Sequence, residues 1–212
     1  MRATALRRLP SRERRSRGQA LVEFSLILMP LMLIFMGILQ FGLLFGSQLG
    51  LINSTREGAR YGATLITDGS ALGSSTTSGT PIYNVFCYTL GMDGNGAACS
   101  IGGVTQAGTL GRAMPAYNKA NVCLTSGGVC GSAVTSVGYC YYANPDGSTY
   151  SMRLNVTVAY RHPLMLPLIS SIVDGIDGGT TDNALTVTTG EQFRVEGPGL
   201  TAAPAGISQC SP

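Results

Sequence analysis

From Phe24 to Thr55 the chain has no charged residue, and from Phe24 to Gly46 it is apolar almost without a break, FSLILMPLMLIFMGILQFGLLFG. No other feature constrains the fold as much. As a helix rising 1.5 Å per residue this run is roughly 35 Å long, enough to cross a hydrocarbon core of about 30 Å. Residues 1–18 precede it with seven arginines (Arg2, Arg7, Arg8, Arg12, Arg14, Arg15, Arg17) against one acid, Glu13, a local charge of +6. Arginines beside a span stay cytoplasmic, so everything beyond Leu49 is expected on the far side. A secretory signal removed whole, leaving a secreted binding protein, is the competing reading. Signal cores run to about 7–15 apolar residues and end in an A-x-A-like site, and neither condition is met here.

The net charge of +3 hides this asymmetry, because beyond the leader seven basic residues face ten acidic ones. A nucleic-acid surface wants basic residues spread over a folded face, so no nucleic-acid partner is expected. The six cysteines, Cys87, Cys99, Cys123, Cys130, Cys140 and Cys210, all follow the apolar run. An even number confined to the far side fits disulfides formed outside the cytoplasm, in any of fifteen pairings. There is no C-x-x-C pair, and His162 is the sole histidine, so the pattern does not favour zinc. Only 12% of residues are charged, and 29 glycines with no tryptophan imply a turn-rich fold rather than a dense enzyme core.

Glu23 sits at the cytoplasmic edge of the span, where a carboxylate is costly unless solvated or paired. Gly18, four residues, then Glu23-Phe24 resembles the site cut by prepilin peptidases in type IV pilins. The phrase RGQALVEFSLILMPLMLIFMGILQFG (residues 17–42), followed by REGARYGA at Arg56–Ala63, is similar to TadE-like proteins, minor pilins or pseudopilins of tight-adherence (Tad) pili. The resemblance covers about residues 15–65. It implies removal of the leader between Gly18 and Gln19, which makes Glu23 the fifth residue of the mature chain. The new amino group at Gln19 then pairs with Glu23 of a neighbouring subunit and sets register. It also implies a single-pass inner-membrane protein with its C-terminal domain periplasmic or extracellular. Its partners would be a prepilin peptidase, the major and other minor pilins, the inner-membrane platform with its ATPase, and the lipid bilayer. The competing class is a membrane-anchored surface binding module with no pilus role, in which Glu23 is a solvated residue.

Helix is expected from about Ala20 to Leu65, with a kink at Pro30. Small residues recur every fourth place at Gly42, Gly46, Gly50, Ser54, Gly58 and Gly62. The tandem G-x-x-x-G at 42, 46 and 50 is the pattern for close helix contact in lipid. Arg56, Glu57 and Arg60 are spaced for pairing along the helix surface.

Beyond the helix, residues 67–82 read as a Gly/Ser/Thr linker and 83–212 as an extracytoplasmic domain. Residues 91–104 and 125–138 read as glycine-rich loops, and AMPAYNKANVC as holding a short helix. Tyr150–Arg161 alternates Met152, Leu154, Val156, Val158 and Tyr160 against Arg153, Asn155 and Thr157, a strand pattern. Asn183–Glu196 reads as a second strand, bulged or broken at Gly190. His162–Ile176 is apolar but too short to span, and is expected as a helix packed on the sheet. The fold class is therefore α+β, a long N-terminal transmembrane helix followed by a small, glycine-rich, disulfide-bonded, β-rich domain. No catalytic constellation, cofactor motif or P-loop is present. Asp174, Asp177 and Asp182 do not match an EF-hand loop and read as a solvated turn.

Overall fold

The computed structural model describes residues 13–66, 72–114, 117–165, 183–195 and 200–210. Contacts divide the chain into two compact units, Met1–Phe41 and Gly42–Pro212. Helix α1 runs over Glu13–Ala63 and is continuous through Pro30. It closes on short-range bonds from Thr64 N–H to Tyr61 O (3.1 Å) and Leu65 N–H to Gly62 O (3.2 Å).

In the first unit the large apolar side chains are exposed all round the helix, among them Leu21 and Leu26 (70% each) and Met29 (79%). Apolar surface with no inner side is what a helix built for lipid presents. The helix is long and apolar enough to cross a membrane.

In the second unit the rest of α1 buries a stripe of small residues, including Gly50, Ser54, Thr55, Gly58, Ala59 and Gly62. Two of these carry hydroxyls, and each is satisfied one turn back: Ser54 Oγ donates to Gly50 O at 2.7 Å and Thr55 Oγ1 to Leu51 O at 2.8 Å. A polar atom can therefore sit in this core without an unmet hydrogen bond.

The sheet has strand order β5-β4-β3-β6. Strands β3 (Ser136–Ala143), β4 (Tyr150–Pro163) and β5 (Ala184–Arg194) form an antiparallel meander, and β6 (Ser208–Gln209) lies parallel to β3. The alternation read from the sequence sets its faces. Met152, Leu154, Val156, Val158 and Tyr160 are buried, while Arg153 and Asn155 are exposed. Each such side chain contributes about 1.5–3 kcal/mol on burial. They pack with Leu51 and Ala59 of α1 and with Val85, Phe86 and Leu90 of helix α2 (Pro81–Leu90) in one core. The layering is helices on one sheet face, an α+β arrangement.

Several elements differ from the sequence reading. Helix α2 was not expected, yet it carries its own start and stop signals. Thr80 caps it by accepting from Tyr83 N–H, Pro81 opens it, and Gly91 ends it with φ 71°. Residues 72–80, expected as part of a linker, are tied into turns. Thr80 Oγ1 lies 2.8 Å from both Ser74 O and Thr77 O, which share its single hydrogen.

The glycine-rich loop at 91–104 contributes to a small hairpin, β1 (Ser100–Ile101) with β2 (Val104–Thr105), followed by helix α3 (Thr109–Ala113). In AMPAYNKANVC the helix is a single 3₁₀ turn, Lys119–Asn121. The loop reading of 125–138 fails at its end, where Ser136–Gly138 begin β3. Gly190 is neither bulge nor break: it pairs with Thr157 in unbroken register. His162 and Pro163 extend β4 instead of starting a helix, and residues 166–182, with the three aspartates, lie outside the described residues.

The cysteines form three disulfides, Cys87–Cys99, Cys123–Cys130 and Cys140–Cys210. The first ties α2 to the β1 hairpin, the second closes the loop ahead of β3, and the third fixes β6 to β3.

Candidate processing and assembly site

Gly18, Gln19, Glu23 and Phe24 all lie within α1. Helical spacing brings residues 19 and 23 to one face, one turn apart. There Gln19 Nε2 donates to Glu23 Oε1 at 3.2 Å, with both side chains exposed. The carboxylate thus accepts from a neutral amide one turn earlier. A Cβ at Gly18 would meet nothing within 4 Å. Phe24 is 64% exposed and begins the apolar run.

The glycine series divides into two environments. A Cβ at Gly42 or Gly46 meets nothing within 4 Å. At Gly50 it would come within 2.7 Å of Ala113 O; at Gly58 it would run into the Thr89 side chain, and at Gly62 into Leu154 and Val85. The lower part of the stripe is therefore an internal seam of the second unit, which lets α2, α3 and the sheet approach the helix backbone. Tyr139 reinforces that seam by donating its hydroxyl to Gly62 O at 3.0 Å. Burial pushes the Tyr139 phenol well above its usual pKa. Sequence reasoning missed Tyr139 because β3 was not recognised.

The charged residues after the span do not pair along the helix. Arg56 Nε meets Glu191 Oε1 of β5 at 2.8 Å, and Glu57 accepts from Tyr88 OH at 2.9 Å. Tyr88 in turn stacks on Tyr61 with ring centroids 4.2 Å apart. These long-range contacts fasten the outer face of α1 to the sheet and to α2.

His162 is half-buried beside Tyr160 and Val187, and burial lowers its pKa. Among the described residues no three His, Cys, Asp or Glu side chains gather as metal ligands.

Residues 18–60 match the family model for TadE-like protein. The match spans roughly a fifth of the chain, from the glycine of the expected cut to the helical segment after the span. No curated protein and no solved structure matches the chain. TadE-like proteins form a structural, pilus-associated family, and residues 18–60 of this chain are similar to them.

Proposed function

From the TadE-like character of residues 18–60 we propose that the chain is a minor pilin or pseudopilin, a membrane-held structural component needed to assemble a Tad pilus used in surface adhesion. The observation that carries this reading is the coincidence of three features in one matched stretch: Gly18 before Gln19, Glu23 at the fifth mature position, and an exposed, all-round apolar helix.

The leader is removed by a prepilin peptidase on the cytoplasmic face between Gly18 and Gln19. Cutting there converts Gln19 from a neutral neighbour of Glu23 into the bearer of a cationic amino group. In a low-dielectric setting an unpaired carboxylate is heavily penalised, so a Glu23–amine pair between staggered subunits enforces register more than it adds net stability. The span over about 24–46 holds the subunit in the inner membrane until assembly, with Gly42 and Gly46 open to a neighbouring helix. The disulfide-bonded domain faces outward.

The test is intact mass and N-terminal sequence of chain recovered from membranes, with and without the peptidase, together with piliation of Glu23→Ala and Gly18→Val strains. The expected results are a peptidase-dependent start at Gln19 and loss of pili in both variants. A chain that keeps its arginine leader while piliation is normal refutes the reading and leaves a tethered binding module.

A further inference from the structure

In the second unit two arginines stand side by side on the sheet face turned away from the helices. Arg153 of β4 is paired directly with Arg194 of β5, both are exposed, and partners across an antiparallel pair project to the same face. Like charges placed directly opposite weaken a sheet. Among the described residues neither arginine lies within ion-pair distance of an acid. Glu191 is engaged by Arg56, and Asp146, in the hairpin between β3 and β4, accepts from Ser148 N–H and from Thr149 N–H and hydroxyl. Both guanidiniums are positioned instead by uncharged groups, Tyr142 and Ser151, which are themselves paired across β3 and β4. Arg153 lies over the Tyr142 ring, 4.6 Å from its centroid, and Arg194 Nη2 donates to Ser151 Oγ at 3.1 Å. Ser151 in turn donates to Asn144 Oδ1 at 2.8 Å.

On the same face, one row past the arginines, Gly138, Asn155 and Gln192 run across three strands. A groove of about 290 Å³ lies over that row, and Ser136, Ser208 and Gln209 line it as well. None of its lining side chains is charged. A Cβ at Gly138 would meet nothing within 4 Å, so the floor is open there. The Cys140–Cys210 bridge fixes the β6 wall. From the row that holds the guanidiniums to the row of the groove is roughly 13 Å of strand. This end of the sheet is the one remote from the apolar run. Leu154 packs at Gly62, whereas Tyr160 and His162 lie beside Leu44 and Ser47, and from Leu44 to Gly62 is roughly 27 Å of helix.

We propose that this face binds a short acidic oligosaccharide, with a carboxylate on Arg153 and Arg194 and ring hydroxyls in the groove at Asn155 and Gln192. A carboxylate set between two guanidiniums takes charge-assisted, forked hydrogen bonds and removes the repulsion that the free chain carries. Sugar hydroxyls donate and accept, as do the side-chain amides and hydroxyls that line the groove. The span of roughly 13 Å from guanidiniums to groove exceeds one sugar ring, so the ligand is an oligomer. A sheet face offers no free backbone ladder, so an extended peptide gains none of the pairing that strand addition would give it. Lipid headgroups beside the apolar run lie at the far end of the sheet, and two arginines are too few for a nucleic-acid face. Tyr142 and Ser151 hold the guanidiniums before binding, which lowers the ordering cost. The inference goes beyond the pilus reading, rests on the second unit alone, and stands whether or not the chain is a pilin.

The experiment titrates the full chain, in micelles of an uncharged detergent, with trigalacturonate at up to millimolar concentration and follows residue-resolved amide shifts. The expected result is saturable shifts at Arg153, Asn155, Gln192 and Arg194. Arg153→Gln and Arg194→Gln should each raise Kd at least tenfold, and Asn155→Ala at least threefold. Arg112→Gln, which removes an exposed arginine of α3, should leave Kd unchanged. The methyl ester of the same trisaccharide keeps its hydroxyls, loses its charge and needs no variant; it should bind at least tenfold more weakly. Inorganic phosphate and the peptide acetyl-Glu-Gly-Glu-Gly-Glu-amide should also be at least tenfold weaker, since neither fills the groove with hydroxyls. The proposal is overturned if trigalacturonate gives no saturable shift, if its methyl ester binds as tightly, or if both arginine variants keep the affinity. Equal weakening by Arg112→Gln shows general charge attraction and overturns the site. Equal binding of phosphate or of the acidic peptide overturns the assignment to a saccharide.

Discussion

Gly62→Ala is the substitution that best tests how α1 is lodged in the second unit. The added methyl would run into Leu154 Cδ2 and Val85 Cγ2, whose side chains are both 0% exposed. The helix is not free to retreat. Gly62 O is held by Tyr139 OH at 3.0 Å, and one turn earlier Gly58 lies against Thr89. Overpacking a filled core costs about 1–3 kcal/mol, and replacing a helical glycine by alanine returns up to about 1 kcal/mol. Two core side chains must move, which places the cost near the top of its range and the net loss at about 2 kcal/mol. For a unit of this size that is a fall of roughly 4–8 °C in Tm. Gly46→Ala is the matched control, since its Cβ meets nothing within 4 Å. It gains helix propensity at no packing cost, and its Tm should be unchanged or slightly raised. The assay is thermal unfolding of the full chain in micelles, followed by near-ultraviolet circular dichroism of its nine tyrosines, which no tryptophan obscures. If Gly62→Ala melts with Gly46→Ala, the small-residue seam is not a packed contact and the account of the core is wrong.

Three other perturbations probe separate links. The Arg56–Glu191 pair has side chains 60% and 24% exposed, so a double-mutant cycle to alanine should return no more than about 1 kcal/mol, shrinking in 1 M salt; a salt-independent coupling would contradict the geometry. Replacing Cys140 and Cys210 together by serine opens a bridge of sequence separation 70. A chain-entropy account assigns that bridge about 4 kcal/mol, to be read from urea midpoints, and a loss under 1 kcal/mol would mean that β6 is held by other contacts. Tyr117 and Tyr139 are kept neutral far above the usual 10.0, chiefly by burial. Their contribution is fully present below about pH 10, where unfolded tyrosines begin to ionise, and falls as pH rises further, by up to ~1.4 kcal/mol per pH unit for each. Urea midpoints between pH 9 and 11 should fall in that sense, and Tyr117→Phe should lessen the slope without abolishing it, because Tyr61, Tyr88 and Tyr139 are raised as well.

What the sequence displayed, and what it concealed, follows from where each signal is written. The apolar span and the alternation of Tyr150–Arg161 are local patterns, repeated over enough residues to be read without knowing their surroundings. Strand β3 is different. Its segment, SVGYCYYA, mixes a glycine, a bonded cysteine and three tyrosines, and its inward face becomes apparent only once Tyr139 is placed under Gly62. Helix α2 had legible caps in Thr80-Pro81 and Gly91, but the glycine-rich surroundings masked them. The stripe from Gly42 to Gly62 makes the point most sharply, because a single spacing of four runs through two environments. Gly42 and Gly46 face open space on an apolar helix, while Gly50, Gly58 and Gly62 lie beneath Ala113, Thr89 and Leu154. Sequence spacing alone reports that a backbone can be approached closely. It does not say by what, because the approaching residues lie up to 92 positions away, as Leu154 does from Gly62. If the upper glycines serve assembly and the lower ones folding, bulky substitutions will separate the two: Gly46→Leu should fold normally and block piliation, whereas Gly62→Leu should fail before assembly begins. Equal stability loss at both positions would show that the stripe is a single folding element and remove Gly46 from the assembly surface.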